Sequence, residues 1–187
     1  MTRLLGLALA GLFLWASPAE AQNARIYGMR GLLGGAAAYS WGVDEAVKKM
    51  VKATGGSGTV SPWWRSQQIA AQAIADYRKS KAPIILVGHS LGANEISKVA
   101  ATLERAGVPV AAALYYDPTP TVRCVPGNVK VAVSWRRTAP LNLGGGYIRS
   151  CSGAKLQNIN VRTSHTALDD HPQVHAGSIR IAQEALK

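Results

Sequence analysis

Ser90 stands in Gly88-His89-Ser90-Leu91-Gly92, between the apolar run Ile84-Ile85-Leu86-Val87 and a helix-forming segment. A serine hydroxyl is a weak nucleophile at neutral pH. To attack a carbonyl it needs a base to take its proton, an acid to orient that base, and N–H donors for the charge that develops on the attacked oxygen. Glycines at 88 and 92 leave room for a tight turn from strand to helix, which pushes the serine out at the carboxyl edge of a sheet. The helix that follows aims its first N–H groups and positive dipole end at the developing charge. Further along the chain, before the later histidines, come Glu95, Glu104 and Asp117; then follow His165, His171 and His175. His89 reads as a packing residue of the turn, with no catalytic role.

These residues need a frame, and the pattern predicts one. Short β-branched runs alternate with longer helical segments, the sequence sign of a parallel sheet with crossover helices. Strands are expected at Ala24 to Met29, Gly58 to Ser61, Pro83 to Val87, Val108 to Tyr116, Val129 to Ser134 and Leu156 to Thr163. Ile84 to Val87 is apolar without alternation, as in a central strand covered on both faces. Helices are expected at Trp41 to Lys52, from an N-cap at Ser61 with Pro62 at the first helical position through Tyr77, at Ser90 to Arg105 ending on Gly107, and from Pro172 to Leu186. Between Arg136 and Lys155 no periodicity survives, and Gly144-Gly145-Gly146 marks a mobile loop.

The chain has 187 residues, 48% of them hydrophobic, enough for one compact domain with a substantial core. Its N-terminus differs from the rest. Arg3 precedes the uncharged apolar run Leu4 to Trp15, and Ala19-Glu20-Ala21 fits a small-x-small cleavage pattern, so residues 1–21 read as a signal peptide. The run is shorter than the ~20 residues of a membrane span. An exported protein, periplasmic or secreted, is expected, with residues 22–187 as the mature domain and no transmembrane segment in it. Removing residues 1–21 takes one cation and one anion, so the mature chain keeps the net charge of +11. That charge is dispersed: no arginine-rich tract or nucleic-acid motif emerges, and a general attraction to anionic envelope surfaces is the reading it supports. Cys124 and Cys151 are an even pair in a chain bound for an oxidising compartment, and are expected to form one disulfide.

Through Gly88-His89-Ser90-Leu91-Gly92-Ala93 the chain resembles the α/β-hydrolase family, most closely its secreted lipase and esterase branch, over roughly residues 25–186. The resemblance implies a single-domain, three-layer α/β-hydrolase-like fold with a mostly parallel sheet of about six strands. In that family the triad runs serine, acid, histidine along the chain. Glu95 and Glu104 fall within the helix after the serine, so the acid would be Asp117, whose Asp117-Pro118 resembles the acid segment of secreted triacylglycerol lipases. His165 follows the last strand and precedes the final helix, where the family carries its imidazole; His171, a candidate helix cap, and His175, inside the helical pattern, remain alternatives. The oxyanion donors would be the backbone N–H groups of Leu91 and of Leu32, the latter in Arg30-Gly31-Leu32-Leu33-Gly34-Gly35. That loop departs from the family pattern in having Arg30 where histidine is common.

The resemblance implies a lidless serine hydrolase that cleaves carboxylic esters or thioesters through an acyl-enzyme, as a monomer and without a cofactor or metal. Two rivals stand beside it: a non-catalytic envelope protein that uses the scaffold to bind anionic partners, and an acyltransferase on the same site. The N-terminal reading has its own test. The intact mass of the exported protein should begin at Gln22, and a retained Met1 would exclude export by cleavage after Ala21.

Overall fold

The computed structural model describes residues 23–138 and 144–187; the expected signal peptide lies outside the described residues. The expected strands are all present: β1 (Arg25–Arg30), β2 (Ser57–Pro62), β3 (Ile84–His89), β4 (Val110–Tyr116), β5 (Val129–Arg137) and β6 (Lys155–Val161). They form one six-stranded sheet in the order β2-β1-β3-β4-β5-β6, and every neighbouring pair is parallel. The order reverses between β1 and β3, so the connections leaving those two strands diverge at the carboxyl edge.

Among the described residues four α-helices cover the sheet: α1 (Gly42–Thr54), α2 (Ser66–Ser80), α3 (Leu91–Arg105) and α4 (Pro172–Glu184). The alternation within β3 explains how. Ile84 and Leu86 pack with Ile69 and Ala73 of α2 and Ile96, Val99 and Leu103 of α3. Ile85 and Val87 pack on the opposite face with Val43, Val47 and Met50 of α1 and Val174 and Ile181 of α4. A strand buried along its whole length, as β3 is, must be apolar toward both layers. At the sheet's margin β6 turns polar, with Lys155, Gln157, Asn158 and Asn160, which discourages pairing with another chain. Among the described residues no helix is long and apolar enough to cross a membrane.

Helix α3 ends as its glycine predicts. Gly107 adopts φ +68°, its N–H donates to the Glu104 carbonyl, and the Val108 N–H reaches back to Leu103, which satisfies carbonyls that the last turn leaves open. The expected start of the second helix is corrected. Pro62 closes β2, opposite Arg30, and a short 3₁₀ turn at Trp63–Arg65 precedes α2. Because β2 is an edge strand, a proline there removes no essential ladder bond. The glycine segment is corrected too: Gly145 N–H donates to Asp117 Oδ1 at 2.7 Å and Gly146 N–H to the Pro118 carbonyl at 2.8 Å, so this stretch is tied to the end of β4.

Cys124 and Cys151 form a disulfide across a sequence separation of 27, beside an isolated bridge between Val125 and Ser150. It joins the β4–β5 connection to the β5–β6 connection. Replacing both cysteines by alanine should lower the unfolding free energy by about 3–4 kcal/mol in denaturant titration, the contribution of a loop of this span; an unchanged midpoint would mean the crosslink adds nothing to stability.

Candidate active site

Ser90 occupies the turn between β3 and α3 with φ +56° and ψ −120°, a conformation serine rarely adopts. Its N–H is held by the Tyr116 carbonyl at 2.9 Å, and its own carbonyl accepts from Asn94 N–H at 3.1 Å as α3 begins. The two glycines of the motif are sterically required. A Cβ at position 88 would lie 2.6 Å from the Gly92 carbonyl carbon and oxygen, and one at position 92 would collide with the carbonyl of Met29 at the end of β1. The absence of side chains therefore brings the start of α3 against β1.

The loop after β6 brings His165 to the serine, with Nε2 3.0 Å from Ser90 Oγ. On its other side His165 Nδ1 lies 2.6 Å from Asp117 Oδ2. A carboxylate only accepts, so Nδ1 carries the proton and Nε2 offers its lone pair to the Ser90 hydroxyl. Asp117 follows β4 at φ +46°, and its Oδ1 accepts from the N–H groups of Arg137 at 3.1 Å and Gly145 at 2.7 Å. Burial pushes the Asp117 pKa up, but the hydrogen bonds from His165, Arg137 and Gly145 outweigh it, and the carboxyl lies below its ordinary value. The Arg137 Nε is a further 3.4 Å from Oδ2. Asp117 thus stays ionised and fixes the imidazole's orientation.

Leu91 is the first residue of α3, and Leu32 is the first residue of a 3₁₀ helix at Leu32–Ala38. Among the described residues neither N–H donates to an acceptor, as expected for the leading amides of helices. Gly31 packs against Ser90: a Cβ there would be 3.0 Å from Ser90 Cβ. The Leu32 side chain is 52% exposed and that of Leu33 53%, so an apolar rim borders this loop. Tyr39, which follows the 3₁₀ helix, places its ring 6.5 Å from the ring of His165.

The other histidines have separate duties. His171 caps α4, its Nδ1 accepting from Gln173 N–H at 3.3 Å. His175 is buried within α4 and donates from Nε2 to the Asp169 carbonyl at 2.5 Å, while Lys49 Nζ approaches its Nδ1 at 2.8 Å. His89 is fully buried, its ring centroid 4.8 Å from that of His165. Sequence reading missed Asp169, which is 1% exposed with neither carboxyl oxygen in a well-formed hydrogen bond; its own N–H and that of Gly42 make weak contacts. Nothing in the local stretch Leu168-Asp169-Asp170-His171 distinguishes it from an exposed turn residue. Among the described residues no cluster of His, Cys, Asp or Glu is arranged to hold a metal.

No protein-family model and no curated relative matches the sequence. Solved structures do. A protein assigned to the alpha/beta hydrolase superfamily, from Xanthomonas campestris pv. campestris, superposes with a TM-score of 0.55 at 17% identity, covering 88% of this chain and 98% of that one. A hyperthermophilic esterase from the archaeon Pyrobaculum calidifontis gives 0.61 at 11% identity over 91% of this chain and 78% of its own. Human thioesterase 2 gives 0.54 at 10% identity over 87% and 97%. The fold is that of the α/β hydrolases.

Burial first, and then the neighbouring Asp170, raise the Asp169 pKa from 3.8 to about 7. Between those values the folded chain keeps a proton that the unfolded chain has released, so this group makes stability fall as pH rises through the window and adds no further slope above it. Asp169→Asn removes the titration. Its unfolding free energy minus that of the parent should be larger at pH 8 than at pH 4.5 by about 2–4 kcal/mol, the variant being relatively more stable at the higher pH; the same difference at both pH values would exclude a buried, uncompensated Asp169.

Proposed function

We propose that this α/β-hydrolase-fold chain is an exported serine hydrolase acting on carboxylic esters or thioesters, with Ser90 as nucleophile, His165 as general base and Asp117 as the acid that orients it. The observation that carries the reading is one continuous hydrogen-bond chain, Ser90 Oγ to His165 Nε2 at 3.0 Å and His165 Nδ1 to Asp117 Oδ2 at 2.6 Å. In the reaction, Ser90 Oγ attacks the acyl carbonyl carbon as His165 Nε2 takes its proton. The resulting imidazolium is stabilised by Asp117 and returns the proton to the departing alcohol or thiol as the tetrahedral intermediate collapses. Water, deprotonated by the same imidazole, then attacks the acyl-enzyme and releases the acid with Ser90 restored. The Leu91 and Leu32 N–H groups, uncommitted among the described residues, are the donors for the oxyanion in both steps.

The names of similar folds, an esterase and a thioesterase, support the substrate class. Exposed Leu32 and Leu33 beside the site suit an apolar acyl portion. The Cys124–Cys151 disulfide supports the exported setting, since such bonds persist in oxidising compartments.

A fluorophosphonate probe on purified mature protein tests the reading directly. The parent should be labelled and Ser90→Ala should not. On a short acyl ester, His165→Ala and Asp117→Ala should each lose about 10³-fold or more in turnover while retaining a folded circular dichroism spectrum, and His171→Ala should change it by less than about tenfold. A folded parent that neither labels nor turns over would favour the non-catalytic binding protein.

A further inference from the structure

His89 adjoins Ser90 in sequence, and its side chain is buried, with 0% exposure. Its Nε2 lies 2.9 Å from the main-chain carbonyl of His165. A carbonyl only accepts, so Nε2 bears the proton. Burial, and then the neighbouring His165, lower the imidazole pKa to about 3, so the ring is neutral and Nδ1 presents a lone pair. The group opposite Nδ1 is the hydroxyl of Ser40, at 2.7 Å, which must therefore donate to it. Ser40 Oγ in turn accepts the N–H of Gly31 at 3.1 Å. Every member has a single way to bond, so the chain has one direction: Gly31 N–H to Ser40, Ser40 O–H to His89, His89 N–H to His165.

Its two ends are what give the chain meaning. Gly31 shares a peptide with Leu32, whose N–H is an oxyanion donor in the reading above, and His165 is the general base. Those loops leave different strands, β1 and β6, which lie on opposite sides of β3 in the sheet. Ser40 is 4% exposed and adopts φ +63°, an unfavourable backbone for serine that the surrounding contacts must hold. The Tyr39 ring covers His89 at 5.7 Å between centroids. Asp169 Oδ1, 3.9 Å from Nδ1, is outside hydrogen-bond range and takes no part in the chain.

We propose that His89 and Ser40 are positioning residues that lock the oxyanion loop and the base-bearing loop into one register, so that the acceptor of the serine's proton and the donor to the oxyanion are set together. This rests on the Ser90–His165–Asp117 reading. Neither residue touches substrate; each acts through the groups it holds. Misplacing a catalytic group by about an ångström costs up to roughly 10²-fold, which sets the scale of the effect.

The experiment compares the parent with Ser40→Ala, His89→Ala, the double variant and His89→Gln, using fluorophosphonate labelling and kcat and KM on a short acyl ester. Ser40→Ala should lower kcat roughly 5–20-fold and His89→Ala roughly 10–100-fold, with KM changed by less than about twofold. The double variant should be no slower than His89→Ala, because both break the same chain. His89→Gln, whose amide can still donate to the His165 carbonyl, should recover part of the loss. Multiplying losses, parent-like kcat in folded variants, or a change confined to KM would overturn the coupling while the labelled parent upholds the triad. A parent that fails to label overturns both. Nitrogen NMR of the unmodified protein gives a check independent of any variant's folding: His89 should be the neutral Nε2–H tautomer at pH 6, and an Nδ1–H tautomer or an imidazolium would refute the chain.

Discussion

The site depends on how closely the start of α3 approaches the end of β1. Gly92 lies so near the Met29 carbonyl that no side chain fits, and Gly31 lies against Ser90 from the other direction. That double approach sets the loop after β1 beside the loop after β3, where the strand order reverses. It also fixes Ser90 at a positive φ, a conformation costing of order 1–3 kcal/mol for a residue with a side chain. The cost is sustained because β3 behind it is buried at every position and α3 packs its apolar face into the same layer. The rigid centre of the molecule and its strained residue are adjacent in the chain.

Two buried aspartates show how donors, rather than depth, decide the state of a carboxyl group. Asp117 and Asp169 are 0% and 1% exposed. Asp117 receives N–H donors from His165, Arg137 and Gly145 and is held below its ordinary pKa; Asp169 has only weak amide contacts and is held well above it. The backbone donors at Asp117 come from the end of β5 and from the glycine segment, where any side chain at Gly144 would strike the carboxylate. The His165 imidazole and these backbone amides thus secure a negative charge at Asp117, and the scarcity of such donors at Asp169 favours the neutral acid.

Much of this was legible in the sequence because it is written locally. The continuous apolar run before Gly88 announces a central strand, the glycines around Ser90 announce the turn, and Gly107 marks the end of α3. Chain order within a resembled family points to Asp117 and His165, and the structure sets His165 against Ser90 and Asp117 against His165. What escaped depends on partners remote in sequence. Pro62 looks like a helix opener until its pairing opposite Arg30 is seen. Gly144 to Gly146 look loose because their partners, Asp117 and Pro118, lie far back in the chain. Ser40 and His89 have ordinary neighbours, and only the folded chain shows that they meet.

The disulfide has a consequence for how the molecule is made. Cys124 and Cys151 are the chain's full complement of cysteines, so an isolated molecule has one possible crosslink and no wrong one to undo. Maturation then calls for an oxidant but no reshuffling. The remaining error is a bond between two molecules, a bimolecular event that becomes more frequent as newly made chains crowd together. Yield of correctly closed protein is therefore governed by the rate of synthesis relative to folding, and slowing expression should improve it more than adding a disulfide isomerase.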